Sequence, residues 1–139
     1  MRVEIFQVIP KQAMEIRKKV FVEEQGFQNE FDDMDLLATH FVALDDSDTP
    51  IATGRVFKGQ ENGTYILGRL AVLKESRGKN IGSLIVEKAE EYVKKIGREQ
   101  IQLHAQCRVV AFYNKLGFSS FGEMEEEEGC PHIWMRKML

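Results

Sequence analysis

Leu70-Ala71-Val72-Leu73-Lys74-Glu75-Ser76-Arg77-Gly78-Lys79-Asn80-Ile81-Gly82-Ser83 is the stretch on which the fold turns. It leaves an apolar strand, crosses a basic turn with a glycine, and enters a helix. Upstream, alternation from Thr64 to Leu73 reads as a long strand. Downstream, Ile81, Leu84, Ile85, Ala89, Tyr92 and Ile96 recur on one face of a helix over residues 80–97, which Gly97 can end in the left-handed conformation. A tight turn that feeds a helix N-terminus presents several unpaired N–H groups and the positive end of the helix dipole to one point. Gly78 and Gly82 remove side chains that would block approach, Asn80 tolerates positive φ, and Arg77 and Lys79 add charge. A phosphate or diphosphate is the ligand this arrangement would take. The same residues also suit a plain packing junction with solvated basic side chains, and the turn alone leaves both readings open. The spacing matches neither a nucleotide P-loop nor the GxGxxG of dinucleotide folds.

Working outward, Val3 and Ile5 alternate as a short strand, and Ala13, Ile16 and Val20 follow helical spacing until Gln25-Gly26. After an acidic, irregular stretch, His40 to Leu44 reads as a buried strand and Ile51 to Lys58 as another. Asn62-Gly63 then turns the chain into the long strand. Beyond the long helix come a strand at Ile101, Leu103 and Ala105, a short helix at Val109, Phe112 and Leu116, and a final hairpin from Ser119 to Leu139 interrupted by an acidic loop. The order β-α-β-β-β-α-β-α-β-β predicts an α/β (α+β) fold. Its mixed, mostly antiparallel sheet has helices on both faces and a parallel contact where the crossover helix returns the chain. Strands ending near Leu73 and Ala105 then leave the sheet at one edge, where a cleft is expected. No linker or repeat divides the chain, so residues 1–139 are expected to form one domain.

Composition narrows the function classes. The 139 residues carry 19 basic and 22 acidic side chains, a net charge of -3, which is not the footprint of a protein that grips nucleic acid or an anionic membrane. No apolar run approaches the roughly 20 residues of a bilayer span. The start Met-Arg-Val-Glu-Ile puts an acid where a signal peptide is apolar, so a cytoplasmic location is expected. Cys107 and Cys130 are too few for a disulfide framework and are expected to be reduced thiols.

With these elements in place, the chain resembles the GNAT-type N-acetyltransferases. The family's cofactor signature follows an apolar strand, and Arg77, Ile81 and Gly82 fit it behind Leu70-Ala71-Val72, with Asn80 where Gly is usual. Ala111-Phe112-Tyr113-Asn114-Lys115-Leu116-Gly117-Phe118 is similar to the second motif. Gln106 stands seven residues before Tyr113, where many members have an Asn that contacts the pantetheine arm. Arg17, Val20 to Gln25, Asp35, His40, Leu103 to Gln106 and Gly129 to His132 resemble a branch of short bacterial members. The resemblance implies a GNAT-like sheet whose bulged long strand splays from its neighbour to admit an acyl-pantetheine arm. It also implies acetyl-coenzyme A as cosubstrate and direct transfer of acetyl to a primary amine. Residues 77–83 (Arg77, Gly78, Lys79, Asn80, Ile81, Gly82 and Ser83) would hold the diphosphate, and backbone N–H groups of Leu70, Ala71 and Val72 would meet the thioester carbonyl. Tyr113 would protonate the departing thiolate, although an aromatic at helical spacing also fits a core position. A non-catalytic acyl-coenzyme A sensing domain is the alternative.

Glu24 and His104 are the candidates for a general base, and neither earns that role from sequence alone. No pair among Cys107, Cys130, His104 and His132 has CxxC or HxxxH spacing, so no metal is expected. The run Glu123 to Gly129 reads either as a solvated loop or as an acidic rim that favours a cationic amine, small molecule or peptide. Glu30 to Asp35 would order a substrate-side loop or cap a turn. Exposed edge strands make a homodimer the oligomer to look for.

Overall fold

The computed structural model describes residues 1–139. In chain order the elements are β1 (Arg2–Phe6), α1 (Lys11–Arg17), β2 (Thr39–Leu44), β3 (Pro50–Lys58), β4 (Thr64–Val72), α2 (Ile81–Lys95), β5 (Gln100–Gln106), α3 (Val110–Lys115), β6 (Ser119–Glu127) and β7 (Cys130–Met138). The expected order is present throughout. One seven-stranded sheet holds every strand in the order β1-β2-β3-β4-β5-β7-β6, antiparallel except where β4 meets β5. No helix is long and apolar enough to cross a membrane.

The two faces of the sheet are built differently. On one, α2 buries Ile81, Ile85, Val86, Ala89 and Val93 against Phe41, Val56, Leu67, Ile101 and Leu103, and α3 adds Tyr113. Each buried aliphatic side chain there contributes about 2 kcal/mol. On the other, Ile16, Val20 and Phe21 pack on Ala71. Helical spacing does not anticipate Val20 and Phe21 both turning inward. They do so because α1 continues as a π-helical segment, Lys18–Glu24, whose wider i→i+5 bonding includes Gln25 N–H to the Val20 carbonyl at 3.1 Å.

β4 and β5 pair over only four positions, Thr64 with Gln100 through Leu67 with Leu103. Beyond them β5 continues with β7 and β4 with β3, so the two parallel strands diverge as a V. The cause is visible in β4, which spends three residues from Gly68 to Ala71 while β3 spends two from Arg55 to Thr53. The extra residue is a bulge, and Arg69 adopts φ 50° within it. Gly54 lies opposite; a Cβ there would come within 2.8 Å of Ile85 Cγ2, so only glycine lets α2 lie this close to the bulge.

The acidic stretch 30–35 caps a turn, the Asp32 N–H donating to Asp35 Oδ2 at 3.2 Å, and Asp33 is exposed, but Glu30 and Asp35 are buried and meet arginines. Arg17, 1% exposed, donates to Glu30 Oε2 (3.0 Å), the Glu30 carbonyl (2.9 Å), Asp35 Oδ1 (2.7 Å) and Asp35 Oδ2 (3.1 Å). Arg55 donates to Asp35 (2.8 Å) and to both oxygens of Asp32 (2.6 and 3.0 Å). Arg69, on the bulge, reaches the Glu30 carbonyl at 3.0 Å and Asp32 at 3.2 Å. Arginine forks and carboxylates in equal number thus cancel in a buried layer, and His40 Nε2 sits 3.0 Å from the Asp35 carbonyl. Leaving any one charge there without its partner is what costs most.

Burial would raise the Asp35 pKa, but the hydrogen bonds and charges of Arg17 and Arg55 outweigh it and hold the carboxyl at about 2. A folded pKa below the unfolded one stabilises the protein above the unfolded value, and that stabilisation is lost as pH falls from about 4 towards 2. Asp35→Asn is therefore expected to cost about 3 kcal/mol in urea unfolding at neutral pH. The gap to wild type should shrink across the acid limb, and a gap independent of pH would contradict this account.

Candidate active site

The V opens onto the turn that links β4 to α2. Leu73 N–H donates to the Ile51 carbonyl at 2.9 Å, and an antiparallel ladder alternates, so Ala71 faces β3 while the N–H and C=O of Val72 face the V. Leu70, two residues earlier, shares that edge. Of the backbone donors expected at Leu70, Ala71 and Val72, the ladder thus turns Ala71 away from the opening; its side chain belongs to the α1 face.

Within the turn, Gly78 (φ 80°) and Asn80 (φ 61°) are both left-handed, and Asn80 begins α2 without a side-chain cap. The first backbone bond of α2 is Leu84 N–H to the Asn80 carbonyl at 3.2 Å. The N–H groups from Gly78 to Ser83 meet no backbone acceptor. Gly78, Lys79 and Asn80 are exposed and Gly82 and Ser83 half-buried, while Ile81 is buried in the core. Gly82 has a packing reason as well: a Cβ there would approach Phe112 Cζ to 3.3 Å, so this glycine lets α3 close on the start of α2. A diphosphate fits such an uncapped, positive helix end.

Arg77 is already engaged. Its two terminal nitrogens donate to Glu24 Oε2 and Oε1 at 2.7 Å each, and its Nε to the Val72 carbonyl at 3.0 Å. Glu24 is thus not a free helix-end acid; the Arg77 guanidinium holds its carboxyl below the usual range. Lys79 stays exposed beside them.

Next to the V lies a cleft of 460 Å³, walled by Glu24, Phe27, Gln106, Arg108, Glu128 and Cys130 among others. Gln106 bridges its floor, donating to Gln25 Oε1 at 2.8 Å while accepting from Arg108 Nε at 2.8 Å. The acidic run does not form the expected loop. It continues β6 to Glu127 and reverses in a two-residue turn, Glu128 (φ 50°) and Gly129 (φ 77°). Glu128 accepts from the N–H groups of Gln28 and Asn29 at 2.9 and 3.4 Å, tying the hairpin to the loop after α1.

Reading this run as a strand would have shown that Glu125 and Glu127 share a face. That face meets histidines: His104 Nε2 lies 3.6 Å from Glu125, His104 Nδ1 3.5 Å from Glu127, and His132 Nε2 3.5 Å from the same Glu127 oxygen. His104 stacks on Trp134 at 4.8 Å, and its Nε2 is buried without a hydrogen bond. Burial, then the nearby His132, lower the His104 pKa against the pull of the two glutamates. Tyr113, 8% exposed, packs edge-on against Phe112 and Phe118, and burial alone raises its pKa, which keeps the phenol protonated. Arg69 carried no sequence signal, since an arginine in an alternating strand gives no hint of positive φ, and the resemblance that marked Arg17 and Asp35 did not show that they pair.

Comparison with known proteins agrees with the fold. The profile of the acetyltransferase (GNAT) domain matches residues 7–139. A candidate acetyltransferase of Bacillus subtilis is 38% identical over 130 residues, 90% of this chain and 86% of the relative. The crystal structure of a candidate N-acetyltransferase from Lactobacillus plantarum superposes with a TM-score of 0.88 at 27% identity, covering 100% and 99% of the two chains. An aminoglycoside 6′-N-acetyltransferase crystallised with coenzyme A shares the fold at TM-score 0.78 and 18% identity, covering 99% of this chain and 97% of that one.

In a proton NMR titration, His104 is expected to gain its proton below the ordinary histidine value of 6.5, and His132→Asn to move that midpoint upward. An unshifted His104 midpoint, or one indifferent to His132, would contradict the arrangement.

Proposed function

The chain belongs to the GNAT acetyltransferase family, and from that premise we propose that it moves the acetyl group of acetyl-coenzyme A directly to a primary amine. The V between β4 and β5, ending on the uncapped N–H groups of Gly78–Ser83, is the observation that carries this reading. The cosubstrate supplies an activated acetyl thioester. The chain's own residues do the rest, as one acetyltransferase domain acting in the cytoplasm.

In this reading, backbone N–H groups at Gly78, Lys79, Asn80, Ile81, Gly82 and Ser83 hold the diphosphate, with charge from Arg77 and Lys79. Val72 and Leu70 present backbone groups along the open edge of β4, where they pair with the pantetheine arm as a missing strand would. The N–H of Val72, or of Leu70 beside it, donates to the thioester oxygen as it gains charge. The neutral amine nitrogen forms its bond to the acetyl carbon, the carbon–sulfur bond breaks with its electron pair on sulfur, the Tyr113 hydroxyl gives that sulfur its proton, and the proton that the nitrogen sheds passes through water to restore the phenol.

Burial works on Tyr113 in two directions. It keeps the phenol protonated, but by raising the pKa it also makes the phenol a weaker acid. A thiolate with a conjugate acid near about 8.5 in water would not take its proton. The same desolvation raises the thiol's pKa within the V, and the transfer becomes feasible where both groups share one apolar wall. Phe112 and Phe118 form that wall around Tyr113.

Calorimetric titration with acetyl-coenzyme A, followed by thiol release across a library of amines, tests the reading. Tyr113→Phe is expected to lower kcat about 100-fold while leaving acetyl-coenzyme A binding unchanged. An unaltered rate would remove Tyr113 from the mechanism, and a wild type that binds no acetyl-coenzyme A would remove the transferase reading itself.

A further inference from the structure

Among the charged walls of the cleft, Glu24 stands apart in its choice of partner. Glu128 is tied to the N–H groups of Gln28 and Asn29, and Arg108 to Gln106, all contacts within the cleft's own frame. Glu24 is instead bound, through both oxygens, to Arg77, which opens the phosphate-binding turn. It therefore touches two sites: it lines the 460 Å³ cleft, and it neutralises the guanidinium of Arg77, which stands three residues before the uncapped N-cap Asn80 of α2. The same guanidinium covers the carbonyl of Val72 on the open edge of β4.

We propose that Glu24 is a shared carboxylate, which yields Arg77 to the cofactor's diphosphate and then serves the cleft as counter-charge for a primary alkylammonium acceptor, so that each ligand tightens the other. This rests on the reading of the chain as an acetyl-coenzyme A dependent transferase. A planar guanidinium fork accepts a carboxylate or a phosphate in the same bidentate geometry, so the exchange needs a swing of one side chain and no change of fold. The pair between Glu24 and Arg77 is exposed on both sides and correspondingly weak. A diphosphate also met by the N–H groups of Gly78 to Ser83 displaces it.

Two consequences follow from that swing. The Val72 carbonyl loses its only side-chain donor, which leaves the β4 edge free to pair with an extended arm. Glu24 also loses the cation paired to it from outside the cleft, leaving Arg108 in the cleft's own wall, while Glu125 and Glu127 on the neighbouring β6 keep their positions near His104. Its charge becomes more negative at the moment the acetyl donor is in place. Linkage then requires that an ammonium in the cleft tighten cofactor binding by the factor with which the cofactor tightens it.

Calorimetry with coenzyme A, and with spermidine as the ammonium probe, reads both halves without any turnover. Glu24→Gln is expected to tighten coenzyme A about threefold to tenfold, because the competing carboxylate is gone. Arg77→Gln should weaken it, and the double variant should match Arg77→Gln, since without the guanidinium Glu24 has nothing to hold. In wild type, saturating coenzyme A should tighten spermidine about fivefold; in Glu24→Gln it should have no effect. Coenzyme A affinity unchanged or weakened by Glu24→Gln, or spermidine affinity indifferent to coenzyme A in wild type, overturns the shared carboxylate while leaving the transferase standing. Wild type that takes up no coenzyme A overturns both.

Discussion

One left-handed residue holds the site open. Arg69 inserts an extra position into β4, and a non-glycine residue at φ 50° carries a penalty of about 1–2 kcal/mol. It persists because its guanidinium is anchored at Glu30 and Asp32, in a layer where Arg17 and Arg55 meet the same acids. The anchor is what turns a local bend into a permanent one. With the bulge in place β4 cannot follow β5 beyond Leu67, and the backbone of Val72 is left without a strand partner on the side of the V, its carbonyl met by Arg77 instead. An apolar substitute for the ion layer would fill the same volume, but would not grip the side chain at the bend. Charge here selects a conformation; burial elsewhere supplies the stability.

The same logic explains what the sequence could and could not tell. Periodicity found α2, because six apolar residues at helical spacing can bury only one way. It found the antiparallel run β2–β4 through Asn62-Gly63, and the turn before α2 through its glycines, with Asn80 left-handed as its side chain allows. These are local matters. The ion layer was not legible, since Arg17, the pair Glu30 and Asp35, and Arg55 come from three separate segments and their pairing depends on how those segments stack. The contact of Arg77 with Glu24 spans 53 positions and is hidden for the same reason. The acidic run misled because four consecutive glutamates ahead of a glycine look like a loop. As an edge strand, β6 needs only one covered face, and its charges protect the exposed edge from pairing with other chains.

The candidate site is consequently a meeting of three kinds of constraint. Backbone geometry sets the donors, with Val72 placed by the ladder and Gly78 to Ser83 by the helix start. Apolar packing sets Tyr113 and the approach of α3 to Gly82. Surface charge sets the rest, and it is the softest of the three, because Glu24, Arg77, Arg108 and Glu125 are all exposed. Residues that shape the donor end are thus rigid, whereas those around the cleft can reorganise. Related chains can keep the first two constraints and vary the third, changing the acceptor without disturbing the donor.

The short parallel contact has a mechanical meaning as well. β1–β4 and β5–β7 are two half-sheets sewn along four residue pairs, and only α2 lies across the seam. Elsewhere the halves meet through side chains, as where Gln106 donates to Gln25 and Glu128 accepts from the Gln28 and Asn29 N–H groups. A break in the loop near Gly97 would leave each half with its own ladders intact and one common helix to dock against. Such a chain is laid out for reassembly from two fragments, and the fissure that would guide them together is the same one that admits the ligand.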